Sequence, residues 1–159
     1  MKQYLIILLL LWLGSVPAVA QDIPEIDRAD LARITGQAND TTYVVNFWAT
    51  WCSPCVKEIG YFEELHREYG ASGVSVILVN LDFPNQVDSR VIPFLKERNI
   101  TAPVMLMTDL QYNEWIDLVD PGWSGAIPAT LIYKNAERVF LEQELTREAL
   151  YDNLHQIHN

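Results

Sequence analysis

Cysteine is nearly absent: the 159 residues contain two, both inside Trp51-Cys52-Ser53-Pro54-Cys55. With no third thiol, the chain has no leftover cysteine to form wrong bridges in an oxidising compartment. A self-contained zinc site is also poorly supplied. Tetrahedral closure around a C-x-x-C pair needs two further Cys or His ligands, and the histidines are limited to His66, His155 and His158. The last two form an H-x-x-H pair on a C-terminal helix, a pattern that by itself belongs to solvated surface. A metal site, an inert structural bridge and a redox dithiol all remain open readings. The short hop between the cysteines closes too small a loop to constrain an unfolded chain much, which favours the redox reading over a purely structural one.

Basic residues are scarce as well. Eleven Lys and Arg stand against 21 Asp and Glu, giving a formal charge of −10. Such a chain repels nucleic acid and anionic lipid surfaces, so neither is an expected direct partner. A long hydrophobic span is also missing. Leu5 to Leu13 is unbroken and apolar but falls short of the roughly 20 residues a membrane crossing needs. Preceded by Met1-Lys2-Gln3-Tyr4 and followed by Gly14-Ser15-Val16-Pro17-Ala18-Val19-Ala20, it has the layout of a signal peptide ending in a small-x-small cleavage pattern. The expectation is a signal peptide over residues 1–20 and one domain over residues 21–159, in a periplasmic or other extracytoplasmic location. An uncleaved membrane anchor is the alternative; the lack of cysteine near the cleavage point excludes a lipoprotein. No internal repeat or low-complexity tract appears, and the apolar fraction of 50% suffices for one core.

Thr42 to Trp48 is rich in β-branched and aromatic residues and reads as a largely buried strand. Beyond the cysteines, Ile59, Phe62, Leu65, His66 and Tyr69 recur at helical spacing over a face otherwise made of Lys57, Glu63, Glu64, Arg67 and Glu68. Upstream, residues 21–26 read as an extended lead-in and 27–34 as a short helix with Leu31 and Ile34 inward. A polar boundary follows at 36–41. Gly70 to Gly73 break the long helix, and residues 74–81 read as a strand buried on both faces, completing a right-handed βαβ unit. Val87, Val91, Phe94 and Leu95 suggest a helix to about Arg98, weakened by Pro93, near which it is able to start. Residues 104–107 are the next strand, 112–119 a short helix and 120–125 a loop. Strands at 129–133 and 138–143 form a hairpin across Asn135-Ala136, and a terminal amphipathic helix at 146–158 turns Leu150, Leu154 and Ile157 inward.

Cys52 therefore sits where a strand becomes a helix. Pro54 suits the first turn, which has no intrahelical use for its N–H groups. Cysteines three apart on a helix lie about 5 Å from each other, inside the range of a disulfide. A thiolate on the first turn faces unpaired N–H groups and the positive end of the helix dipole, worth up to about 2 kcal/mol. That interaction favours the thiolate of Cys52 over the thiol. Cys52 is the expected nucleophile, and Cys55, one turn deeper, the resolving thiol.

The run Val45-Asn46-Phe47-Trp48-Ala49-Thr50-Trp51-Cys52-Ser53-Pro54-Cys55-Val56-Lys57-Glu58 resembles the active-site segment of TlpA/ResA-type thioredoxin-like extracytoplasmic thiol-disulfide oxidoreductases. Gly125-Ala126-Ile127-Pro128-Ala129-Thr130-Leu131-Ile132-Tyr133 resembles the family's cis-proline loop. The resemblance covers nearly all of the chain after residue 40. It implies an α/β thioredoxin fold, a central mixed β-sheet with helices on both faces. It also implies a disulfide-containing client protein, a membrane thiol carrier as electron donor, no metal or organic cofactor, and a monomer. Clients such as apocytochrome c, a copper-site precursor or misoxidised proteins are left open, as is the rival reading of a copper or other metal chaperone. Family position makes Glu58 a proton acceptor for Cys55, the other reading being a solvated helix carboxylate. Asn46 stands where ordinary thioredoxins carry a buried aspartate, and Gly60 departs from the family's proline. Pro128 is expected to be cis, with Ile127 offering its backbone to the client. Trp51 has either a docking or a core role, and Trp123 either joins the same docking surface or, more naturally, anchors its loop.

Overall fold

The computed structural model describes residues 23–159; the expected signal segment lies outside them. Chain order is β1 (Glu25–Ile26), α1 (Arg28–Thr35), β2 (Thr42–Trp48), α2 (Ser53–Tyr69), β3 (Val74–Asn80), α3 (Ile92–Glu97), β4 (Val104–Met107), α4 (Ile116–Val119), β5 (Ala129–Lys134), β6 (Glu137–Leu141) and α5 (Arg147–His158). Within the described residues, six strands form one mixed sheet in the order β1-β4-β3-β2-β5-β6. Strands β1 to β4 pair in parallel, while β5 and β6 run antiparallel to their neighbours. No described helix is long and apolar enough to cross a membrane.

Side chains alternate across a strand, and β2 builds both cores in this way. Val44 and Trp48 pack with Cys55, Ile59 and Phe62 of α2, Leu95 of α3 and Leu150 and Leu154 of α5. Val45 and Phe47 point to the opposite face and meet Leu31 of α1, Val119 of α4, Trp115 and Trp123. The expected layering of helices on both faces is therefore present.

Helix boundaries follow local chemistry. Asp27 caps α1 by accepting from the Ala29 and Asp30 N–H groups, with Asp30 reaching back to the Asp27 N–H. Thr146 caps α5 through the Ala149 N–H at 3.2 Å. The segment expected to run as one helix from Val87 is split. Residues 87–91 form a wider π turn, and α3 begins at Ile92 with Pro93 in its first turn, where a missing N–H costs no bond.

One expectation about α2 needs correction. Its spacing puts Glu63 with the polar residues of the helix, but Glu63 is buried. Its carboxylate accepts from the Thr101 N–H at 2.8 Å, the Thr101 hydroxyl at 2.6 Å and the Ala102 N–H at 2.9 Å, with Arg67 Nε 3.2 Å away. A buried carboxylate with this many donors is a tether between α2 and the approach to β4.

Candidate active site

The end of β2 delivers Cys52 to the start of α2 through a tight turn in which the Cys52 N–H donates to the Ala49 carbonyl at 3.2 Å. Cys52 is the N-cap residue, with extended backbone, and its Sγ accepts from the Cys55 N–H at 3.3 Å. The sulfur thus lies against an orphan donor of the first turn, where negative charge is favoured. Cys52 and Cys55 form a disulfide with Cα atoms 5.3 Å apart. Both sulfur-bearing residues are largely covered, Cys52 5% exposed and Cys55 1%, so the difference in access falls in the expected direction and is small.

Opposite the disulfide, the Ile127–Pro128 peptide is cis. The Ile127 carbonyl oxygen lies 3.7 Å from Cys52 Sγ, within reach of a thiol in the reduced protein. The residues before it are held from two sides. Glu142, just past β6, accepts from the Ser124 hydroxyl, the Ser124 N–H at 3.2 Å and the Ala126 N–H at 3.1 Å. Trp123 donates its indole N–H to the Ala126 carbonyl at 2.8 Å, and its ring packs on Phe47 and Trp115. The loop-anchor role expected of Trp123 is the observed one. The Ser124 hydroxyl bond leads in lowering the Glu142 pKa.

Glu58 lies on the same side of α2 as Cys55, and it is fully buried, which removes the solvated-carboxylate alternative. Its two oxygens have separate partners: the Asn46 amide donates to one at 3.1 Å, and the Leu145 N–H to the other at 2.6 Å. Asn46 also donates to Thr130 Oγ1 of the neighbouring β5 at 3.1 Å. Burial pushes the Glu58 carboxyl up to about 7, although the hydrogen bonds from Leu145 and Asn46 favour its charged form. The position that cannot take a proton thus holds the neighbour that can.

Sequence reasoning missed a second buried carboxylate. Asp82, just past β3, accepts from the Thr50 N–H at 2.8 Å, the Thr50 hydroxyl at 2.5 Å and the Asn80 amide at 2.8 Å. Its own N–H donates to Asn80 Oδ1 at 3.1 Å. This clasp fixes the backbone two residues before Cys52. The available signal was two polar residues, Asn80 and Asp82, at period-two spacing at and just past the end of a mostly apolar strand, beside a hydroxyl in the cysteine loop.

Trp51 is 56% exposed, so its core reading is set aside. His155 and His158 lie apart from the cysteines, bonded to the Tyr69 hydroxyl at 3.0 Å and to Thr42 Oγ1 at 2.8 Å. Among the described residues, no group of three His, Cys, Asp or Glu is placed to share a metal ion.

A mixed sheet of this order, with a C-x-x-C disulfide at the head of α2 and a cis-proline facing it, defines a protein of the thioredoxin fold. The chain belongs to the AhpC/TSA family, whose match runs over residues 19–140. It is 43% identical over 61 residues to the thiol-disulfide oxidoreductase ResA of Oceanobacillus iheyensis, covering 38% of this chain and 30% of that one. Against ResA of Geobacillus thermodenitrificans it is 28% identical over 146 residues, covering 88% and 78%. The chain spans about a third of the length of several curated relatives it matches. Among solved structures, a thiol:disulfide interchange protein of the thioredoxin family from Chlorobium tepidum has a TM-score of 0.62 at 21% identity, over 80% of this chain and 84% of that one.

Proposed function

We propose that this chain is an exported thiol-disulfide oxidoreductase that reduces disulfides in client proteins. The observation that carries the proposal is the placement of Cys52 Sγ under the Cys55 N–H at the head of α2, beside the Ile127 carbonyl, with Cys55 buried behind it. In the reduced protein, the Cys52 thiolate attacks one sulfur of a client disulfide. A Cys52–client S–S bond forms, the client S–S bond breaks, and the departing client sulfur takes up a proton. Cys55 then loses its proton to Glu58 and attacks Cys52 Sγ. The mixed disulfide breaks, the second client sulfur leaves as a thiolate and takes up a proton while Glu58 returns its own to solvent, and Cys52–Cys55 is left oxidised. Two electrons have passed to the client.

Each round consumes the dithiol, so a thiol donor must restore it. A membrane thiol carrier fits the export suggested by the first twenty residues. Pro128 and Ile127 shape the docking site, Trp51 borders it, and the protein acts as a monomer. The absence of histidine in Ser53-Pro54 supports the reducing direction, because nothing between the cysteines adds a positive charge to stabilise the thiolate strongly.

The test uses insulin as a defined disulfide client. The reduced protein should reduce it, Cys55→Ala should accumulate a mixed disulfide released by dithiothreitol, and Cys52→Ala should form none. A mixed disulfide built on Cys55 would overturn the assignment of roles, and failure to reduce insulin would overturn the activity.

A further inference from the structure

Asp82 is buried, and so is Asn80 beside it. Among the described residues, the donors that reach the Asp82 carboxylate are all neutral: the Thr50 N–H, the Thr50 hydroxyl and the Asn80 amide. A buried anion without a cation is unfavourable. This one also adds negative charge close to a turn whose last residue has to carry a thiolate, and like charges disfavour each other. On electrostatic grounds alone, Asp82 hinders the chemistry next to it.

Its geometry acts in the other direction. Residues 49–52 form the turn between β2 and α2, closed by the Cys52 N–H donating to the Ala49 carbonyl at 3.2 Å. Thr50 is the first of the two central residues, and a turn of this kind offers no acceptor for that residue's N–H. Asp82 accepts it at 2.8 Å and takes the hydroxyl as well. At the same level the Leu81 N–H donates to the Trp48 carbonyl at 2.8 Å, joining the end of β3 to the end of β2. The turn is thereby pinned to the sheet. At its far end Cys52 has φ of −87° and ψ of 100°, and its Sγ lies 3.3 Å from the Cys55 nitrogen. A turn free to rotate would withdraw the sulfur from that N–H.

We propose that Asp82 is a positioning residue for the nucleophile: acting through Thr50, it fixes the turn that carries Cys52 and so keeps Sγ at the helix N-terminus, where the thiolate is favoured. The proposal rests on the oxidoreductase reading and names a residue on which the first step of that reaction depends. The ionisable groups held around this turn and the loop facing it are Cys55 and Glu58 on α2, Asp82 past β3 and Glu142 past β6. Substitutions at 82 and 50 leave the other three in place.

The test alkylates the reduced full chain with iodoacetamide over a range of pH and quantifies the labelled Cys52 peptide by mass spectrometry. The Cys52 thiolate displaces iodide and an S–C bond forms, so the rate follows the thiolate. In Asp82→Ala the rate constant near neutral pH should fall at least about fivefold and approach the wild-type value in alkali, moving the profile to higher pH. Asp82→Asn keeps an oxygen for the Thr50 N–H and an NH2 group for the Thr50 hydroxyl to accept, and should react at least about half as fast as wild type. Thr50→Val, which loses the hydroxyl and keeps the N–H, should slow at least about twofold, while Thr50→Ser matches wild type. That second pair decides the matter if Asp82→Ala does not fold by circular dichroism. Lower stability with an unmoved profile in Asp82→Ala or Thr50→Val would overturn the proposal. So would identical profiles for Asp82→Ala and Asp82→Asn, the mark of charge acting alone. These outcomes concern the clasp only; insulin reduction by the wild type decides the oxidoreductase reading separately.

Discussion

The Asn46 amide donates to the Glu58 carboxylate at 3.1 Å, across the interface between β2 and α2. Asn46 is fixed by the sheet and by Thr130, Glu58 by the Leu145 N–H. Among the described residues, Glu58 is thus a buried carboxyl on the side of α2 that carries Cys55, raised to about 7 and held by hydrogen bonds from neutral groups.

Glu58 should make stability fall with rising pH. Its folded-state pKa of about 7 lies above the ordinary value of 4.5, so between those values the folded protein holds the proton more tightly than the unfolded chain. Its contribution is fully present below about pH 4.5 and lost as pH rises through about 7, roughly 3 kcal/mol in all. Urea denaturation from pH 4.5 to 8 should show this decline in wild type and a flatter profile in Glu58→Gln. The same variant should shift the pH dependence of client reduction; parallel profiles for both quantities would remove Glu58 from the proton path.

Thr50→Val should destabilise the oxidised protein by about 1–3 kcal/mol, because it removes the hydroxyl donor from the buried Asp82 carboxylate while keeping the side chain's shape. Equilibrium denaturation reads this directly. A change within about 0.5 kcal/mol, typical of a surface site, would mean that the clasp does not hold the cysteine loop.

Glu142→Ala should slow reduction of insulin several-fold while reaction with a small aryl disulfide is less affected. Three donors of the loop before Ile127 lose their shared acceptor, and in the proposed function it is the protein client that docks on that loop. Because the Glu142 pKa is lowered, the tether should persist into acid and fail only as pH falls below the ordinary carboxylate range. Equal losses toward both substrates would point to a general disturbance of the site.

Alkylation of the reduced protein at neutral pH should label Cys52 before Cys55. The two residues differ little in exposure, so the expected preference rests mainly on the helix N-terminus favouring the Cys52 thiolate. Mass spectrometry of tryptic peptides would show it, and preferential labelling of Cys55 would reverse the roles.

Strand β2 was legible to its ends, because seven β-branched, aromatic and amide residues lie between polar turns. Strand β4 was as clear, and α2 announced itself by its apolar stripe. Carboxylates were harder. Glu58 falls in step with Cys55, Phe62 and Leu65, a spacing that left a solvated helix carboxylate open beside the role family position implies; Glu63 follows Phe62 and is buried where Thr101 and Ala102 offer donors from 38 and 39 residues away. No local pattern reveals such a partner. Glu142 and Asp82 share that difficulty: each satisfies a loop close in space and distant in sequence. Pro93 signalled a helix start, while the π turn before it depends on how residues 87–91 pack.

If Cys52–Cys55 works as a reducing couple, its redox potential must lie in the reducing range. Equilibrating the protein with defined dithiothreitol or glutathione ratios and quantifying the free thiols should place the couple toward the reducing end, nearer about −270 mV than about −120 mV, a gap of about 7 kcal/mol for two electrons. A potential above about −180 mV would contradict the reductase account and point to an oxidase or isomerase.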